Sequence, residues 1–236
     1  MIKRVLITGA SSDIGLATCK KYQESGWVVI GQFRREREEL RRVRGNQFED
    51  WCFDFNNTAL LESYLKKNRE KFIGLSAFVN LAAEINPVKF SLVTPAQILK
   101  IFSINVLPGI LLMQAIGPLM VNQGFGRIVH GSSIGVKFGG GELNFTYSLS
   151  KHILEFIPKE VQTWASNNVF VNVARIGATK TRIHSKLPEK NITKRKETIP
   201  RKKLATPSEI ADAIFWLGSE NNQIMSGEIM PIAGGE

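Results

Sequence analysis

Short runs of β-branched and other apolar residues alternate along this chain with longer segments in which apolar positions recur every three or four residues. The first kind reads as strands buried on both faces, the second as helices that bury one face. On this pattern residues 4–7 form a strand and 15–25 a helix that Gly26 ends. Six further strands are expected over 27–31, 51–55, 75–80, 127–131, 169–174 and 227–232. Helices are expected over 35–44, 58–70, 94–120, 144–166 and 207–217. Thr58 reads as the N-cap of its helix, and Pro95 sits in a first turn, where a missing N–H costs nothing. Pro158 falls inside 144–166 and should bend or break that helix. Strands alternating with crossover helices predict a doubly wound parallel sheet of about seven strands, a Rossmann arrangement in three α/β/α layers.

Composition narrows the class. A chain of 236 residues without repeats or linkers predicts one domain over 1–236, and 43% hydrophobic with 22% charged residues is ordinary for a globular protein. Two separated cysteines, Cys19 and Cys52, make neither a disulfide framework nor a zinc cluster; a reducing cytoplasm is expected, and no metal site. The apolar run after the basic start ends at Gly9, too early for a signal peptide. The longest apolar stretch, 106–120, is interrupted by Pro108, Gly109, Gln114, Gly117 and Pro118 and falls short of the ~20 residues of a membrane span. No membrane partner is expected.

The net charge of +10 raises the question of polyanionic partners. Its excess is local. Residues 182–203 hold nine Lys or Arg against two Glu, a net +7: Arg182, Lys186, Lys190, Lys194, Arg195, Lys196, Arg201, Lys202 and Lys203. Residues 34–44 hold six Arg against three Glu. Neither cluster interleaves aromatics as a single-strand binding surface does, so nucleic acid is not expected.

The chemistry begins at the first turn. Thr8-Gly9-Ala10-Ser11-Ser12-Asp13-Ile14-Gly15 joins a strand to a helix. Glycine lets backbone N–H groups approach a pyrophosphate, and the helix N-terminus favours its charge. After the second strand, where an acidic residue would take the ribose hydroxyl of NAD, the chain reads Gln32-Phe33-Arg34-Arg35. Guanidinium groups suit the 2′-phosphate of NADP, so NADP(H) is preferred and NAD(H) is the second choice. Arg34 is the stronger assignment and Arg35 the weaker. Tyr147 and Lys151 stand four apart and share a helix face. An ammonium beside a phenol lowers its pKa, and Tyr147 then exchanges a proton with a ketone or alcohol oxygen. A serine ending the 127–131 strand lies where open α/β sheets bind ligands and stabilises charge on that oxygen.

Together these motifs resemble the short-chain dehydrogenase/reductase family, and the resemblance runs almost end to end. The first turn is similar to the family's T-G-x-x-x-G-x-G, with Asp13 in place of the middle glycine. The family pattern fits Ser133 better than Ser132 as the catalytic serine. The resemblance implies that Asp54 contacts adenine, that Asn80 begins the N-N-A-G-like run containing Ala82, and that Asn105 perturbs its helix and holds a water linked to Lys151. It implies that Gly177 and Thr181, in a P-G-x-x-x-T-like turn with Ile176 for the proline, hold the nicotinamide amide. The loop from Ser133 to Tyr147 is one residue longer than the common form. Residues 182–203 match the family's substrate-covering loop, so its charge suggests an anionic or carrier-bound substrate. A homodimer or homotetramer is implied, with 107–120 and the Tyr147 helix as contact faces.

The expected activity is NADP(H)-dependent interconversion of a ketone and a secondary alcohol. The alternatives are a 3-oxoacyl-carrier reductase, a nucleotide-sugar-modifying reductase, or a cofactor-binding regulator without turnover.

Overall fold

Strand alternation decides the layers. In β1 (Arg4–Thr8) Leu6 packs on one face of the sheet while Val5 and Ile7 pack on the other. Phe78 against Ala77 and Val79 in β4 (Leu75–Asn80), and Ile128 against Val129 in β5 (Gly126–Ser133), repeat that split. The computed structural model describes residues 2–183 and 192–236, with backbone alone for 192–194.

With β2 (Val28–Phe33), β3 (Phe48–Cys52), β6 (Val169–Ile176) and β7 (Ile229–Ile232), these strands form one parallel sheet in the order β3-β2-β1-β4-β5-β6-β7. The order reverses between β1 and β4, the switch point at which such sheets bind ligands. One face carries α3 (Thr58–Lys67) and α5 (Leu107–Gln123), which buries Leu112, Ile116 and Met120 completely. The other carries α1 (Asp13–Glu24) and α9 (Pro207–Leu217). There Tyr22 meets Trp27 and Phe215 edge to face, and its hydroxyl donates to the Gly218 carbonyl at 2.9 Å.

Several boundaries differ from expectation. β3 begins three residues early, pairing Phe48 with Val29. It is an edge strand whose exposed Glu49 and Asp50 bond Arg4 and Arg44. Trp51, Phe53 and Phe55 instead close the end of the sheet in a cluster with Tyr64 and Phe72. Asn57, not Thr58, caps α3: its Oδ1 accepts from Leu60 N–H at 2.9 Å.

The long helix expected over 94–120 breaks at Val106 into α4 (Pro95–Asn105) and α5, with Pro108 in the first turn of α5. Together these are long and apolar enough to cross a membrane, yet 56% of their most apolar window is buried inside the fold, as in a core helix. The helix expected over 144–166 is also broken. α6 (Phe145–Ile153) stops short of Pro158, which caps α7 (Lys159–Gln162), because proline cannot continue a helix but suits its start. β6 runs two residues further than expected. Ile176 pairs with Ser133 and Ile232, so a residue with a backbone N–H extends the sheet where the family pattern has proline. α2 (Glu38–Val43) is shorter than expected, and α8 (Ile192–Thr198) was not anticipated. Lys186 and Lys190 lie outside the described residues.

Candidate active site

The carboxyl ends of β1, β4, β5 and β6 open onto one cleft of about 1120 Å³. Gly9 turns the chain at φ +68°, and a Cβ there would meet the Ala82 backbone at 2.9 Å. A Cβ at Gly15 would lie 2.2 Å from the Gly9 carbonyl. The turn is therefore as tight as backbone allows, and only glycine fits at both places. Ser12 caps α1, accepting from Gly15 N–H at 3.0 Å.

Asp13 is not the cap. Its carboxylate accepts from the Arg182 backbone N–H at 2.7 Å and pairs with the Arg182 guanidinium, which also bonds Glu39 at 2.6 Å. The charge introduced by replacing glycine is thus met by an arginine from the far end of the chain.

Of the residues read as cofactor contacts, Gly9, Ser11, Ser12, Asp13, Ile14, Arg34, Arg35, Asp54, Ala82, Gly177 and Thr181 line the cleft, as do Ser133, Tyr147 and Lys151. Thr8, Gly15, Asn80 and Asn105 stand behind its wall. Thr8 Oγ1 donates to Asn80 Oδ1 at 2.9 Å and accepts from Leu81 and Ala82 N–H, stapling β1 to the turn after β4. Asn80 donates in turn to His130, whose burial lowers its pKa to about 4 and keeps it neutral. Asn105 Oδ1 accepts from Glu84 N–H at 2.7 Å, and its Nδ2 donates to the Glu84 carbonyl and to Ser150. Ser150 bonds the Tyr147 carbonyl, so Asn105 anchors α6. Asp54 Oδ1 accepts from Asn56 N–H at 3.0 Å and leads the chain into the Asn57 cap.

The two serines have different surroundings. Ser132 Oγ donates to Glu155 at 2.7 Å, and Arg175 grips the same carboxylate with two bonds. Ser133 stands at the end of β5, accepts from Gly135 N–H at 3.2 Å, and lies close enough to Tyr147 to favour its charged form. Lys151 Nζ donates to the Gly131 carbonyl at 2.8 Å and lies 5.8 Å from the Tyr147 ring centre. Burial pushes the Tyr147 phenol up to about 12, opposed in part by Ser133. Burial also lowers Lys151 to about 8. The phenol pKa is thus raised, not lowered as the Tyr–Lys spacing led one to expect, and Tyr147 keeps its proton at neutral pH.

Sequence reading missed several residues here. Gln32 accepts from Gly9 N–H at 3.0 Å and donates to the Phe53 carbonyl, tying the cradle to the end of β3. Arg37 donates to the Ser11 carbonyl at 3.2 Å, and Glu84 bonds Arg34 at 3.0 Å. A polar residue at the end of an apolar strand was the signal for Gln32. Nothing in the sequence pairs Glu84 with Arg34.

A glycine cradle at the switch point, beside a half-buried serine and tyrosine and a buried lysine, defines a nucleotide-binding oxidoreductase. A family model described as enoyl-(acyl carrier protein) reductase matches residues 9–236. Acetoacetyl-CoA reductase from Acinetobacter sp. (strain RA3849) is 30% identical over 99% of this chain and 97% of its own. The 3-oxoacyl-[acyl-carrier-protein] reductase FabG of Thermotoga maritima is 26% identical over 99% of this chain and 97% of its own. Among solved structures, that of ElxO with NADP bound superimposes with a TM-score of 0.86 at 23% identity, covering 100% of this chain and 98% of that one. The chain belongs to the short-chain dehydrogenase/reductase family and is an NAD(P)-dependent oxidoreductase.

Proposed function

We propose that this chain is an NADP(H)-dependent reductase that converts a ketone to a secondary alcohol, with residues 1–236 forming one domain. The observation that carries the reading is Tyr147, protonated and half-buried beside Ser133 and Lys151 on the wall of the glycine-cradle cleft. When bound, the nicotinamide cofactor supplies the hydride. Ser133 orients the substrate oxygen, and Tyr147 passes its hydroxyl proton to it. Lys151 stabilises the phenolate left behind and holds the cofactor ribose. Asn105 is a positioning residue acting through Ser150 and α6. Gly9, Ser12 and the α1 N-terminus fit the pyrophosphate, and Arg34, Arg35 and Arg37 offer guanidinium groups where a 2′-phosphate would lie. The NADP named in the ElxO structure supports the same choice.

Titration of the purified protein with NADPH and NADH, followed by cofactor fluorescence, tests this reading. NADPH is expected to bind about ten-fold tighter or better, ~1.4 kcal/mol. Equal or reversed affinity would overturn the assignment of the arginines.

Arg182 compensates Asp13 beside the pyrophosphate site. Arg182→Ala is expected to weaken NADPH binding about ten-fold, ~1.4 kcal/mol, by leaving a carboxylate facing the phosphates. Asp13→Gly in the same background should restore most of that loss. Failure of the second change to rescue the first would show that the pair does not act through charge.

The anionic-substrate reading of 182–203 is weakened by its pairing. Arg182, Arg195, Arg201 and Lys203 all bond carboxylates. A carrier-bound 3-oxoacyl substrate stays as the second reading, favoured by the FabG and acetoacetyl-CoA reductase relatives. We also propose a cytoplasmic homo-oligomer. Much of 107–120 is spent on the chain's own core; exposed Leu107 at its start, Leu99 on α4, and Phe156 just past the Tyr147 helix offer apolar surface for contact.

A further inference from the structure

Beyond β7 the chain turns back through Gly234 and Gly235, both at positive φ. Arg201 N–H donates to the Gly234 carbonyl at 3.0 Å, and a Cβ at Gly235 would meet Pro200 at 3.0 Å. This curl delivers Glu236 to the wall of the same cleft that holds Ser133 and Tyr147. Ala233, three residues earlier, packs on Gly177, which sets Glu236 at the end of the cleft where the turn after β6 lies.

The Glu236 side chain is 4% exposed. Its Oε1 is held by the guanidinium of Arg195 on α8, which also donates to Thr198 at 2.6 Å. Its Oε2 is buried and has no hydrogen-bond partner among the described residues. A buried carboxylate oxygen without a donor is costly, and a fold keeps one where something else supplies the donor.

We propose that Glu236, held by Arg195, anchors a neutral hydroxyl on the substrate, separate from the reacting ketone. The reading rests on the reductase function above and names the substrate class that its cleft takes. The pair carries no net charge. A substrate carboxylate would meet the Glu236 oxygen and be repelled; a hydroxyl donates to Oε2 and accepts from the guanidinium edge. Ile134, Phe138, Ile183 and Pro200 line the cleft as well, which favours a substrate with an apolar body. A site built to bond a hydroxyl rejects the analogue without it, because the buried polar group is then left unpaired.

The test uses fused-ring decalin ketones bearing hydrogen, hydroxyl, methoxy or carboxylate at the ring carbon farthest from the ketone. Binding to the full chain saturated with NADP+ is measured by calorimetry, and turnover by NADPH oxidation. The hydroxyl ketone is expected to bind about 10- to 100-fold tighter than the hydrogen and methoxy ketones, with the carboxylate weakest. The preference should appear in KM more than in kcat. In Glu236→Leu it should vanish while the hydrogen ketone keeps its affinity; Glu236→Gln, which keeps an oxygen acceptor, should retain part of it. Equal affinities, preference for the carboxylate, no binding of any of the four, or discrimination that survives Glu236→Leu would each overturn the anchor. Failure of the protein to bind NADP+ at all would overturn the reductase reading instead, and that titration is run first.

Discussion

Tyr147→Phe is expected to lower kcat for NADPH-dependent ketone reduction by about 10³-fold, within the range of general acid catalysis, while NADPH binding is retained. The substitution removes one oxygen from a half-buried ring and leaves the packing of α6 unchanged. Burial holds the phenol up to about 12, so across the neutral range the group is a proton donor. Reduction needs that donor at the moment when charge gathers on the substrate oxygen. Ser133, which lies beside the same hydroxyl, orients that oxygen but cannot replace Tyr147 as the acid. In the opposite direction the phenol must first lose its proton. Alcohol oxidation by the unaltered protein should therefore rise with pH across the neutral range, while reduction should not. Stopped-flow measurement of NADPH consumption and formation checks both. A Phe variant within ten-fold of the parent would remove Tyr147 from the reaction, and the proton source would have to be sought elsewhere on the cleft wall.

What could be read from the sequence was what repeats along it or sits at short spacing. Seven strands and their order of appearance followed from apolar runs. Tyr147 and Lys151 followed from the helical period, and the cradle from glycines at a strand-to-helix junction. Pairings set by distance in space were out of reach. Asp13 and Arg182 are separated by 169 positions, and Arg34 and Glu84 by 50, so neither pairing shows in the order of the residues. β3 starts and ends earlier than its apolar run suggests because Phe53 and Phe55 carry the apolar alternation past the strand's end at Cys52. They serve as the plug at the end of the sheet, while the charged Glu49 and Asp50 belong to the edge. The sign of the Tyr147 shift could not be read either. A Tyr–Lys spacing shows that an ammonium is near, but the desolvation that raises the phenol pKa depends on the fold.

Desolvation of its own ammonium makes Lys151→Met the second large effect, with activity and stability moving apart. kcat/KM for reduction is expected to fall by about 10²-fold, within the range of a positioned acid–base group. The ammonium that steadies the departing proton's phenolate is gone, together with its hold on the cofactor ribose. In the parent protein the reduction rate should fall as pH rises through about 8, where Lys151 loses its charge; the Met variant should lack that inflection. For stability the sign is opposite. The folded pKa lies below the unfolded one, so between about 8 and 10.5 the unfolded chain binds more protons, and stability rises with pH across that window. Below it both states are charged and the full burial cost is felt, on the order of 3 kcal/mol. Met fills similar volume without that cost, and what it forfeits is the bond to the Gly131 carbonyl, worth about 1 kcal/mol. At pH 7 the variant should therefore melt no lower than the parent, and its stability should lose the rise above pH 8. Calorimetry at pH 7 and pH 9.5 separates the cases: a clear drop in Tm at pH 7 would mean that the Gly131 bond, not desolvation, dominates this site. A charge that destabilises the fold and is required for turnover is how a catalytic group is distinguished from a structural one.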